Sequence, residues 1–293
     1  MKPAPFDYVR PASVAEALAA LGESDEAKVL AGGQSLVPLM NFRLAAPELL
    51  VDINRIAGLD YIRQTDGGIA IGATARQASV QAATLVREQC PLLAEALGHI
   101  GHPQLRTRGT VVGSLAHHDP AAELPAVAVA LGATVTVAGQ SGSRRVAAAD
   151  FFHGTFTTDV AEDEIATEVW FPNAPEATGS AFAELARRPG DFAMVGVAAT
   201  IQLRDEVIAS ATVVLSGMAD RPVRCTQTED SLTGAPATES TFTAAAAAAD
   251  REPQLRPPDD VHATSGYRRR VLGPLIVEAL STAADRAGRS SRR

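Results

Sequence analysis

Two short segments constrain this chain more than any other feature. Each interrupts an apolar run with residues too small or too polar to fill a core. The first is Ala31-Gly32-Gly33-Gln34-Ser35. The second is Arg108-Gly109-Thr110-Val111-Val112-Gly113-Ser114, followed by Ala116, His117, His118, Asp119 and Pro120. Glycine has no Cβ, so backbone N–H groups can turn toward an anion and approach it closely, and Ser35 adds a side-chain donor. Either segment alone is also consistent with a purely structural turn. Two such loops, well separated in the chain, can clamp one diphosphate from two sides, with charge-assisted bonds contributing roughly 1.5–3 kcal/mol each before ordering costs. Neither segment reads G-x-G-x-x-G or G-K-[ST], so neither is a dinucleotide fingerprint or a P-loop.

Around these segments helices and strands alternate. SVAEALAAL places Val14, Ala17, Leu18 and Leu21 on one helical face behind Ser13, with Glu16 three positions on, the pattern of a capped helix. An apolar strand from Val29 to Ala31 feeds the first glycine segment, and LLVDI at 49–53 gives a second strand. Residues 61–82 combine a strand with a helix signal, and residues 85–100 predict a helix broken near Gly98 and Gly101. Residues 105–120 read as a long polar loop, a kind of segment that often carries function. Residues 125–137 predict a helix ending near Gly132 and then a strand, and EIATEVWFP a strand closed by Pro172. Segments 181–186, 193–203 and VIASATVVLSG predict an antiparallel meander turning through Pro189-Gly190-Asp191, and 241–249 and 267–287 read as helices. The predicted fold class is α+β: α/β units over 1–55 and 56–175, then a sheet-plus-helices unit over 176–290, with no internal repeat.

Several function classes fall away. The net charge of −8 argues against a general nucleic-acid surface, and the basic tail AGRSSRR reads as a frayed, solvated end. No window approaches about 18 uninterrupted apolar residues, and MKPAPFDYVRP has no secretory apolar stretch, so a cytoplasmic protein without membrane insertion is expected. Cys90 and Cys225, the only cysteines, are too few for a four-cysteine cluster or zinc site and read as buried thiols. His117 and His118 are adjacent, so on an extended segment they face opposite ways and chelate one ion poorly. No metal site is expected. No G-x-S-x-G elbow or nucleophilic triad occurs, and no catalytic acid, base or nucleophile is assigned.

The two glycine segments resemble those of the FAD-binding medium subunits of the carbon monoxide dehydrogenase and xanthine dehydrogenase family of molybdenum hydroxylases. The resemblance runs through FDYVRPASVAEAL, AGGQSLVPLMNFRLAAPELLVDIN, RGTVVGSLAHHDPAAELPAVAVALGA, FFHGTFTT, FAELARRPGDFAMVGVAA and GYRRRVL, in that order. It implies a two-part FAD-binding region of the PCMH type, closed over by a C-terminal α+β domain. It also implies that Ala31, Gly32, Gly33, Gln34 and Ser35, with Leu36, and Thr110, Val111, Gly113 and Ser114, with Ala116, bind the cofactor around its diphosphate. Asp119 and Glu123 would approach sugar or ribityl hydroxyls, and Phe192 and Ile165 the isoalloxazine. The resemblance further implies that the molybdopterin cofactor and [2Fe–2S] clusters reside on large and small partner subunits, assembled with this chain as a dimer of heterotrimers, with peripheral membrane contact only through that complex.

One departure matters. Members of this family usually read Thr-(Ile/Val)-Gly-Gly in the second loop, and here Val112 replaces the first glycine. If the site needs φ > 0, a β-branched residue is strained by roughly 1–3 kcal/mol, and otherwise it adopts ordinary extended geometry. Gln34 stands where histidine is also frequent, and both can donate a hydrogen bond. A stand-alone flavoprotein and a scaffold that has lost FAD remain as rivals, whereas a relative with a further [4Fe–4S] cluster is disfavoured by the two cysteines.

Overall fold

The computed structural model describes residues 1–290. The chain opens with β1 (Asp7–Val9), α1 (Val14–Leu21), β2 (Ala27–Leu30), α2 (Leu36–Asn41) and β3 (Leu49–Asp52). These strands pair in parallel in the order β1-β3-β2. The hydroxyl of Ser13 accepts from the Glu16 N–H at 3.2 Å, and Glu16 returns a bond to the Ala12 N–H at 2.9 Å, so α1 begins in a reciprocal cap. Its Ala17, Leu18 and Leu21 are buried, which fixes the helix against the sheet.

A five-stranded antiparallel sheet follows, in the order β4-β5-β10-β6-β7. Its strands are β4 (Ile62–Thr65), β5 (Gly68–Gly72), β6 (Thr134–Gly139), β7 (Gly142–Ala147) and β10 (Ile165–Pro172). Between β5 and β6 lie α3 (Gln77–Ala82), α4 (Thr84–Gln89), α5 (Pro91–His99), α6 (Pro103–Arg106), α7 (Val111–His117) and α8 (Glu123–Ala130). After β7 come α9 (Ala148–Phe151) and the small ribbon β8 (Phe152–Gly154) and β9 (Thr157–Thr158). Residues from both sheets and these helices share one apolar core.

Two sequence expectations are corrected here. The helical stretch 85–100 does end at His99, near Gly98 and Gly101, but it is also interrupted at Cys90-Pro91, because the residue before proline is driven out of the helical region and Cys90 sits at φ −139, ψ 56. The polar loop of 105–120 is largely helical: Thr110 caps α7, and Val111, Val112 and Leu115 anchor it by burial.

The C-terminal sheet is an antiparallel meander, β11 (Thr178–Ala186), β12 (Ala193–Arg204), β13 (Val207–Ser216) and β14 (Val223–Arg224), paired in that order. Its alternation serves two cores. Phe182, Ala198 and Val214 join the first core, whereas Ala181, Ala183, Val195, Val197, Val213 and Leu215 face a second one. The second core is completed by α10 (Thr226–Leu232), α11 (Glu239–Ala249) and α12 (Ser265–Ser290). Because α12 runs to Ser290, the start of the basic tail is helical and not frayed, and Ser291 to Arg293 lie outside the described residues. Among the described residues no helix is long and apolar enough to cross a membrane.

Candidate functional site

The first glycine segment leaves the end of β2 and turns into α2; β2 stops at Leu30, one residue short of the predicted Ala31. Along the turn, the N–H groups of Gly33, Gln34, Ser35 and Leu36 find no acceptor among the described residues. The Ser35 hydroxyl makes no capping bond either. Unpartnered donors of this kind, fixed in one short turn, suit an anion.

The second segment packs directly against the first. A Cβ built on Gly32 would lie 2.5 Å from the Arg108 carbonyl oxygen and 2.8 Å from the Gly109 Cα, so only glycine allows this approach. At the start of α7 the Thr110 hydroxyl accepts from the Gly113 N–H at 3.1 Å, and a Cβ on Gly113 would meet that hydroxyl at 2.5 Å. Val112 sits between them in the first helical turn, with 2% of its surface exposed and without positive φ. The strain or extended geometry considered for it is therefore corrected: the position is helical, and a β-branched side chain fits there by packing into the core.

Both segments open onto one cavity of about 710 Å³. Ala31, Gly32, Gly33, Gln34, Ser35 and Leu36 line one side, and Thr110, Gly113, Ser114 and Ala116 another. Asp119, Glu123, Ile165 and Phe192 complete the set that the sequence singled out. Val111 is the exception: its side chain is fully buried in the core and turned away from the cavity. The volume lies within the roughly 300–1,000 Å³ typical of cofactor pockets.

Local electrostatics differ around the cavity. Glu123, 4% exposed in the first turn of α8, has its carboxyl pushed up to about 8 by burial, so at neutral pH it is mostly protonated and can donate as well as accept. Asp119 is tied locally, its Oδ1 accepting from the Ala121 N–H at 2.9 Å. Nearby, His99 Nδ1 lies 3.1 Å from Glu184 Oε1, and this bond holds the imidazole above its usual value against the opposing effect of burial.

The two histidines diverge, though on a helix end and not on an extended segment. His117 lines the cavity and stacks on Phe156 with ring centroids 4.9 Å apart, and burial lowers its pKa. His118 takes the left-handed cap position at φ 46, where its Nδ1 lies 3.1 Å from the Thr157 carbonyl. Sequence reasoning missed Phe156, Ile100 and Leu105 as wall residues. Phe156 lay inside FFHGTFTT, and an aromatic two positions after Gly154 was the available signal. Phe192 is 58% exposed at the tip of the β11–β12 connection, which leans on the middle unit because the Gly190 Cα region abuts the Gly101 carbonyl.

Comparison with known proteins agrees with this architecture. Residues 4–174 match the FAD binding domain in molybdopterin dehydrogenase, and residues 180–283 match the CO dehydrogenase flavoprotein C-terminal domain. The chain is 41% identical over 289 residues to the 6-hydroxypseudooxynicotine dehydrogenase complex subunit alpha of Paenarthrobacter nicotinovorans, covering 98% of this chain and 97% of that one. It is 36% identical to the carbon monoxide dehydrogenase medium chain of Hydrogenophaga pseudoflava, covering 97% of this chain and 98% of the relative. Among solved structures, a carbon monoxide dehydrogenase from Hydrogenophaga pseudoflava superposes with a TM-score of 0.94 at 36% identity, covering 98% and 99% of the two chains. Quinoline 2-oxidoreductase from Pseudomonas putida 86 does so with a TM-score of 0.93 at 34% identity, covering 98% and 99%.

Proposed function

Because this chain belongs to the family of FAD-binding medium subunits of the molybdenum hydroxylases, we propose that its cleft holds FAD as an electron-transfer site within a larger oxidoreductase. In this reading electrons arrive from the [2Fe–2S] clusters of a small subunit and leave to an external acceptor. The organic substrate is oxidised at the molybdenum centre of a large subunit. The three chains assemble in the cytoplasm as a dimer of heterotrimers.

One observation carries the proposal: two glycine segments distant in sequence meet at a single cavity, with unpartnered N–H groups from Gly33 to Leu36 along its wall. The residues present fit FAD. Gly32, Gly33, Gln34, Ser35 and Leu36, with Thr110, Gly113 and Ser114, supply donors and close backbone approach for the diphosphate, beside Ala31 and Ala116. Val111 contributes backbone only, since its side chain belongs to the core. Asp119 and the protonated Glu123 meet sugar or ribityl hydroxyls, and Ile165 and Phe192 give an apolar face to the flavin ring.

When bound, the flavin supplies the redox chemistry, accepting and releasing electrons while the protein sets position and potential. The chain's own residues bind, orient and exclude water; no proton transfer from a side chain is required of them. Titration of the flavin-free chain with FAD tests the reading directly, and no flavin spectrum after reconstitution removes it. Metal analysis of the chain purified with its co-purifying partners tests the assembly: molybdenum and iron in stoichiometric amounts are expected. A metal-free chain whose flavin is reduced by an organic substrate would instead be a stand-alone flavoprotein.

A further inference from the structure

A polar chain outside the cavity ties the two glycine segments together. Asn54, just after β3, donates through Nδ2 to the Ala31 carbonyl at 2.8 Å and, more weakly, to the Leu30 carbonyl at 3.3 Å. These carbonyls immediately precede the turn whose N–H groups are unpartnered. On its other side, Asn54 Oδ1 accepts from Arg76 Nη2 at 2.6 Å, and Arg76 Nη1 donates to the Arg108 carbonyl at 2.7 Å. That carbonyl is the atom against which Gly32 packs. One path of hydrogen bonds therefore runs from the back of the first segment to the contact point of the second.

The path is itself braced. Asp52 accepts through Oδ1 from both the Asn54 N–H at 2.9 Å and Asn54 Nδ2 at 2.6 Å, and Tyr8 on the edge strand β1 donates its hydroxyl to Oδ2. A smaller cleft of about 310 Å³ lies behind the first segment and is lined in part by Asp52, Asn54 and Arg108. The turn is thus backed there by polar contacts more than by close packing. Neither Asn54 nor Arg76 lines the main cavity, and Asn54 lines only the smaller cleft behind the turn.

We infer that Asn54 and Arg76 are positioning residues for the diphosphate clamp, fixing the separation and tilt of its two glycine segments from behind. Donors set at the correct spacing before the ligand arrives avoid the ordering cost that a loose loop incurs on binding. A planar guanidinium suits this task because it can bond an amide oxygen and a backbone carbonyl at once in a fixed geometry, which a lysine ammonium cannot reproduce. The inference rests on the proposal that the cavity binds FAD.

The test is equilibrium FAD titration of the full chain carrying Asn54→Ala, Arg76→Met, or both, with the melting temperature of the FAD-free protein measured alongside. Each single variant should weaken FAD binding by about tenfold or more while shifting that melting temperature by only about 2 °C. The double variant should lose little more than the worse single one, because both residues act through one path. Asn54→Asp keeps the acceptor for Arg76 but loses the donor to Ala31, and should fall with Asn54→Ala. Binding within about twofold of the unsubstituted chain in both single variants overturns the inference. Affinity losses that merely track falls in melting temperature overturn it as well. If the unsubstituted chain itself binds no FAD, it is the functional reading that fails.

Discussion

Gly32→Ala isolates the contact on which the clamp depends. Gly32 does not have positive φ, so alanine meets no backbone penalty there; its methyl group, however, would sit 2.5 Å from the Arg108 carbonyl oxygen, against ordinary contacts of 3.4–4 Å. The opposing atoms are backbone, so relief requires the two segments to part by about 1 Å, and overpacking of this kind costs roughly 1–3 kcal/mol. If ligand binding requires the closed arrangement, that energy appears as about 5- to 150-fold weaker FAD binding. Fluorescence titration of flavin-free protein measures the change. Gly58→Ala provides the internal comparison: its φ is +85 and nothing lies within 4 Å of the added methyl, so it should reduce stability by about 1–2 kcal/mol through backbone strain and leave FAD affinity alone. Gly32→Ala binding FAD as tightly as the unsubstituted chain would refute the claim that the two segments must meet to hold the ligand. Equal affinity losses in the two variants would refute it too.

Other expectations follow from single side chains. Glu123 is protonated in the folded protein up to about 8 but ionises near its ordinary value when unfolded, so the unfolded state gains as pH rises between those values. Urea unfolding of flavin-free protein should therefore show stability falling with pH across that window, by at most about 1.4 kcal/mol per unit, and Glu123→Gln should flatten the slope. Cys90 and Cys225 are buried, and burial pushes both thiols up, Cys90 to about 12. Neither should react with a thiol reagent in the native protein, and both should react in denaturant. Ser13→Ala should cost about 1 kcal/mol by removing the cap of α1, read as a lower denaturation midpoint.

The legible parts of the fold are those where local and tertiary signals agree. The cap and apolar face of α1 were visible in Ser13, Glu16 and the leucines, and the meander in its alternating small and branched residues. Strand β1 was not, because Asp7–Val9 is three exposed residues whose strand geometry comes from pairing with β3, not from their own pattern. In α7, small and polar composition hid a helix held by one threonine cap and three buried apolar side chains. The cavity walls divided the same way. Glycine and serine stood out locally, whereas Ile100, Leu105 and Phe156 became wall residues only through the fold. Asn54 closes one of the stretches that carry the resemblance, but neither it nor Arg76 was singled out, since an asparagine after a strand and an arginine before a helix are unremarkable until their partners are known.

Val112 has a consequence for how such sequences are searched. A motif written as two adjacent glycines would discard this chain, although the turn that the motif describes is built. In a first helical turn the side chain can vary so long as it has somewhere to go, and here it enters the core. Only Gly113, pressed against the Thr110 hydroxyl, is held to one residue type by its surroundings. A search keyed to the threonine and the glycine three positions later would tolerate drift between them and recover divergent members that the paired-glycine pattern loses.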